Sequence, residues 1–208
     1  MDEFRLGIPS LVCRWRLANG KLPLQSRHIR ALGARRIDGK ALSPALIAWV
    51  KQRVEWGLEG TNAHPDGVLM LVIDEEGKSA LSLGPYRPLK GVSANDLLER
   101  AIESRREGLN TGVAPEELWL VRDDTLIWAT SSEFAPAGAV SLIYDLARSM
   151  GMPVCRDENL LEEVSREGWS NSEVFLASDE HGVIPASDHS GLRASKFAQS
   201  YVKLLSRK

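Results

Sequence analysis

Cysteine is scarce in this chain: Cys13 and Cys155 are the only two, and they lie in different segments. No metal-ligand spacing can be built from them. They read as buried thiols of a reducing compartment. Long apolar runs are also missing, since none approaches the roughly 18 residues that a membrane span needs. The opening MDEFRLG is acidic first and carries no signal-peptide core, so a cytoplasmic address is expected. Charge of one sign is lacking as well. The 26 Lys and Arg nearly balance the 28 Asp and Glu, and a net charge of -2 argues against nucleic acid as a partner. The four histidines, at 28, 64, 181 and 189, form no HExxH or HxxxH pattern, so no zinc site is expected. No GxSxG elbow, Walker loop or GxGxxG fingerprint occurs. Hydrolase, nucleotide-binding and zinc readings therefore lose their main signals.

What is present is enough for a core. The 208 residues, 43% hydrophobic and 26% charged, suit one large domain or two small ones. LVCRWRL (11–17) alternates apolar and basic residues, the mark of a half-buried strand, and NGK (19–21) turns it. A short helix follows Ser26. Its arginines, Arg27, Arg30, Arg35 and Arg36, read either as a solvated face or as anion-facing groups. Ser43-Pro44 starts another helix, with a stripe of Leu46, Ile47, Val50, Val54 and Leu58 that ends at Gly57 or Gly60. VLMLVID (68–74) is a buried strand, and SALSL (79–83) returns from it.

GPYRPLKG (84–91) is the best linker in the chain. A boundary there divides a small α/β subdomain, residues 1–88, from a larger one, residues 89–208. In the second part Ser93 caps a helix expected to end near Gly108. Strands at 118–121 and 125–130 flank a tight Asp123-Asp124 turn. Helices at 138–150, 159–167 and from about Ser190 complete the pattern, with strands at 173–178 and 182–186. Phe197, Tyr201, Val202, Leu204 and Leu205 are the apolar residues of the last helix. Hairpins replace strict βαβ alternation. The expected class is α+β, with mixed or antiparallel sheets and flanking helices.

One stretch points to chemistry. In APAGAVSLIYDLARSMG a helix opens on Gly138, and its first N–H groups, at Ala139, Val140 and Ser141, lack partners inside the helix. Such a terminus favours a phosphate, or it holds only water.

These motifs resemble, in order, those of the class IV pyridoxal-phosphate enzymes, which include branched-chain and D-amino-acid aminotransferases and aminodeoxychorismate lyase. LVCRWRLANGKLPLQSRHIRAL resembles the family's opening hairpin and helix. AGAVSLIYDLARSMGMPV resembles its phosphate-gripping helix, and NSEVFLASDEHGVIPASDHSG the strand pair after it. The resemblance implies the two-subdomain fold of that family (fold type IV), pyridoxal 5'-phosphate as cofactor, and a homodimer. Lys90 would carry the imine, or is a solvated linker lysine. Arg30, Gly138, Ala139, Val140 and Ser178 would hold the phosphate. The substrate would be an amino acid or an aminodeoxychorismate-like compound, undergoing transamination or elimination.

The sequence departs from the family pattern at several points. Trp128 stands where the acid against the pyridine nitrogen belongs, leaving Glu133, five residues on, as the candidate for that role. Val140 replaces a phosphate-binding threonine. The second phosphate contact falls on Ser178 or Asp179, and an aspartate there repels phosphate. A hairpin before Gly138 looks lost. These departures leave a second reading open: a non-catalytic member that keeps the fold and at most binds a small anion.

Overall fold

The computed structural model describes residues 5–58 and 63–206. Strand β1 (Pro9–Arg16) alternates as expected, burying Leu11, Cys13 and Trp15 on one side. Helix α1 (Gln25–Ala34) follows, then a small hairpin of β2 (Arg36–Ile37) and β3 (Lys40–Ala41) that the sequence pattern did not reveal. Helix α2 (Pro44–Leu58) starts where Ser43 Oγ accepts the Leu46 N–H. Of its two expected ends, Gly60 lies outside the described residues. Strand β4 (Val68–Asp74) pairs antiparallel with β1 on one side and with β5 (Ser79–Gly84) on the other, giving a three-stranded sheet, order β1-β4-β5. One face of this sheet, with Leu69, Leu71 and Ile73, packs on Leu32 of α1 and on Val50 and Val54 of α2.

After an extended segment comes α3 (Ala94–Thr111). Ser93 and Asp96 cap it reciprocally: the Asp96 N–H reaches Ser93 Oγ, and the Ser93 N–H reaches Asp96 Oδ2. This helix runs past Gly108 to a left-handed cap at Gly112 (φ 81°). Gly108 instead serves packing, because a Cβ there would sit 3.1 Å from the Phe134 ring. The second sheet has order β10-β9-β6-β7-β8. Its strands are β6 (Glu116–Arg122), β7 (Thr125–Trp128), β8 (Val154–Arg156), β9 (Glu173–Ser178) and β10 (Gly182–Pro185). Only β7 and β8 run parallel, so the sheet is mixed. The Asp123-Asp124 turn is left-handed at both residues, as a two-residue hairpin requires.

Helices cover both faces of this sheet. Leu118, Leu120 and Leu176 face α3 and α5 (Leu160–Glu167). Trp119, Val121 and Phe175 face α4 (Gly138–Ser149) and α6 (Leu192–Leu205). Each large side chain so buried stabilises the fold by about 1.5–3 kcal/mol before entropy is counted. In α6, Phe197 and Tyr201 turn inward, while Val202 is exposed, since it lies one residue past the buried stripe. Among the described residues no helix is long and apolar enough to cross a membrane.

Candidate functional site

Helix α4 has no local cap, because its N-cap residue is Ala137. Its opening donors are met from the turn after β9. The Ala139 N–H donates to Asp179 Oδ1 at 2.7 Å, and the Gly138 N–H makes a longer 3.4 Å contact to Oδ2. His28 of α1 stands on the other side, its Nδ1 3.3 Å from Asp179 Oδ2. That separation suits an ion pair. The imidazole is 2% exposed and stacks on Trp15. Gly138 is required here: a Cβ on it would collide with His28 Nδ1. Burial raises the Asp179 pKa, but the His28 ring, the Ala139 amide and the Arg35 guanidinium outweigh it and hold the carboxyl below its usual range. The backbone joins in, as the Arg16 N–H of β1 donates to the Asp179 carbonyl at 3.0 Å. Asp179 thus stitches β1 and α1 to α4 and β9.

The same economy governs the arginines of α1 and its end. Arg35, 3% exposed, pairs with Glu107 of α3 at 2.8 Å. Arg27 pairs with Asp145 and donates to Ser141 Oγ on α4. Both face anions, and the anions belong to the chain.

Above Asp179 opens a cleft of about 1120 Å³ between β1, α3 and the β9–β10 turn. Arg14, Lys90, Arg100, Glu116, Glu180 and His181 border it. Within it Arg100 pairs with Glu116 at 2.7 Å, and Ser178 Oγ donates to the same Glu116 oxygen at 2.8 Å. His181 Nδ1 lies 3.3 Å from the Tyr86 hydroxyl, whose ring carries the Arg16 guanidinium on its face. Burial pushes His181 down to about 4; Glu116 opposes the shift, while Arg100, Arg16 and Arg14 add to it. The ring is neutral near pH 7.

The residues singled out from sequence scatter. Gly138 and Ala139 meet at Asp179, as described. Val140 is buried in the core facing the second sheet. Ser178 is buried against Glu116 and accepts the Glu180 and His181 N–H groups. Arg30 is exposed, two positions and so about 200° round the helix from His28. Glu133 is exposed at a separate depression beside Gly108 and Phe134. Lys90 is exposed at the cleft rim, while the preceding Leu89 packs on the core.

Pyridoxal phosphate asks a protein for an anion seat, an amine for its aldehyde and an acid at its ring nitrogen. The residues present do not fit that group in this arrangement. A buried, ionised carboxylate already takes the helix donors, the lysine faces solvent, and Glu133 lies outside the cleft. Among the described residues no cluster of His, Cys, Asp and Glu could hold a metal ion.

Sequence reasoning missed Glu117. Strand β6 alternates, so Glu116 points toward α3 and Glu117 toward α4, and both faces are covered. Glu117 is 3% exposed and accepts the Trp128 indole N–H at 2.5 Å and the Thr130 hydroxyl at 2.6 Å. Burial pushes its carboxyl up to about 7, against those two hydrogen bonds and Arg156. The signal was a Glu-Glu pair leading into LWLV, in a strand with no solvent face.

No family model matches the sequence, and none of the curated proteins is similar to it in sequence. Solved structures are similar in architecture. An aminotransferase from Brucella abortus bound to PLP aligns over 100% of this chain and 95% of its own, with a TM-score of 0.59 and 16% identity. A fold IV transaminase from Curtobacterium pusillum aligns over 95% and 84%, with a TM-score of 0.56 and 12% identity. The 4-amino-4-deoxychorismate lyase of Pseudomonas aeruginosa aligns over 91% and 88%, with a TM-score of 0.58 and 16% identity. The chain therefore has the α+β fold of the class IV pyridoxal-phosphate enzymes, fold type IV.

Proposed function

We propose that this chain is a binding protein on the fold type IV scaffold, whose cleft takes a small anion at a rim bearing Arg14, Arg87 and Lys90 and does no pyridoxal-phosphate chemistry. One observation carries the reading: the Asp179 carboxylate sits on the donors of α4 that a cofactor phosphate would need. Two like-charged groups cannot share that seat without a large cost. The polar groups deeper in the cleft are also spoken for, Arg100 and Ser178 by Glu116.

A second reading has its own support. The neighbours named above are aminotransferases and a lyase, and Lys90 borders the same cleft as Ser178 and Asp179. On that reading the chain is a class IV transaminase or lyase acting on an amino acid or an aminodeoxychorismate-like compound. One experiment separates the two. The purified protein is incubated with excess pyridoxal phosphate, scanned for the yellow absorbance of a lysine-bound cofactor, reduced with borohydride and mapped. No absorbance and no adduct support the binding reading; an adduct at Lys90, absent in Lys90→Ala, overturns it.

The resemblance also supports a cytoplasmic homodimer with its subdomain division at residues 88 and 89. Sedimentation equilibrium checks the oligomeric state; a monomer at all concentrations would remove that part.

A further inference from the structure

Most helices that lack a side-chain cap leave their first donors to water. Helix α4 does not. Its 12 residues begin at Gly138 behind an alanine N-cap, among the poorest of residues for that position. The acceptor comes from Asp179, 40 residues downstream of Ala139. The second observation is His28. Its ring is 2% exposed, its Nδ1 has no hydrogen-bond partner, and it stands 3.3 Å from the same carboxylate. Gly138 admits that ring where any side chain would collide with it. The buried Arg35 adds a positive field that favours the carboxylate. Two backbone amides and an imidazole therefore converge on one oxyanion, and the protein itself supplies the oxyanion.

Resting on the reading above, we infer that Asp179 is an internal substitute for a ligand anion. The seat beneath it, made by the Gly138 and Ala139 amides and His28 Nδ1, takes a small free oxyanion once that side chain is removed. The chemistry is plain. Asp179→Gly deletes a CH2–COO⁻ group, and acetate restores it almost atom for atom. No bond forms or breaks; the acetate accepts the Ala139 N–H and faces the imidazole as the aspartate did. Inorganic phosphate fits the same donors with further oxygens to spare.

The test is chemical rescue. Thermal unfolding of Asp179→Gly is followed in sodium acetate, in sodium phosphate and in sodium chloride at matched ionic strength and pH. The variant melts below the wild type in chloride. Acetate or phosphate at about ten times its dissociation constant raises its melting temperature by about 3–6 °C relative to chloride. The wild type, its seat filled, shows no such difference. Equal melting of the variant in all three salts overturns the inference, as does an equal response of the wild type. Should Asp179→Gly not fold in chloride, its refolding yield in acetate against chloride is the readout, with recovery in acetate expected. Independently, the Ala139 amide resonance of the wild type shifts with the carboxylate as it titrates in acid. An Ala139 resonance that stays flat while the protein remains folded overturns the assignment. A lysine-bound cofactor in the wild type would sink the proposed function; failed rescue sinks the seat alone.

Discussion

Glu117→Gln tests how the buried sheet stores charge. The folded protein holds this carboxyl at about 7, against an ordinary 4.5. Between those values the folded state binds more protons than the unfolded chain. Its contribution to stability therefore falls as pH rises through that window, and the loss is complete above about pH 7. Some 2.5 pH units at about 1.4 kcal/mol each amount to on the order of 3 kcal/mol. His181 slopes the other way. Its folded value of about 4 lies below the ordinary 6.5, so its contribution rises with pH across that interval. The two partly cancel in the wild type, which makes the difference between wild type and variant the quantity to measure. Glutamine keeps the acceptor for the Trp128 N–H and offers its NH2 to Thr130 Oγ1, so both hydrogen bonds can be rebuilt. Urea unfolding from about pH 5 to about pH 8 should show near-equal stabilities at the acid end. At the alkaline end the variant should be ahead by roughly 3 kcal/mol, or about 6–12 °C in melting temperature. A difference that does not change with pH, or a variant less stable at about pH 8, would refute the reasoning.

Gly138→Ala should cost about 1–3 kcal/mol or more in unfolding experiments, because the new methyl carbon runs into His28 Nδ1 and the stacked ring cannot easily yield. Ser93→Ala removes one half of the α3 capping box and should cost about 1 kcal/mol by the same measurement. Glu107→Gln strips the charge partner from Arg35, which is 3% exposed. The half-exposed position of Glu107 keeps the expected loss near 2–3 kcal/mol, below that of a fully buried pair.

Much of the architecture was legible in the chain because local patterns report local burial. The alternation of Leu11, Cys13 and Trp15 marked β1, and the apolar run 68–74 marked a strand covered well on one side. The Asp-Asp turn and the serine caps at 43 and 93 were equally plain. Gly108 misled because a glycine inside a helix can mark an end or a close contact, and only the neighbouring Phe134 decides which. The β2–β3 hairpin went unseen because two-residue strands leave no periodicity. In the site, Gly138 was named for the close approach its missing Cβ allows, and Ala139, Val140 and Ser141 for open donors; the Ser141 N–H instead bonds the Ala137 carbonyl, and the Ala139 N–H bonds Asp179. That last acceptor lies beyond another strand, and no spacing rule ties position 139 to position 179. Glu117 was hidden for a similar reason, since a carboxylate in a strand reads as solvent-facing until both faces of the sheet are known to be covered.

The sequence by itself determined the order of the longer helices and strands, though not the short β2, β3 and β8, together with the α+β class and the helix start at Gly138, because each follows from periodicity and turn chemistry over a few residues. Only the tertiary structure decided what that helix holds. Chain folding brings the His28 ring and the Gly138 and Ala139 amides within 3.4 Å of Asp179, and at that distance a carboxylate claims the donors that a free anion would otherwise take.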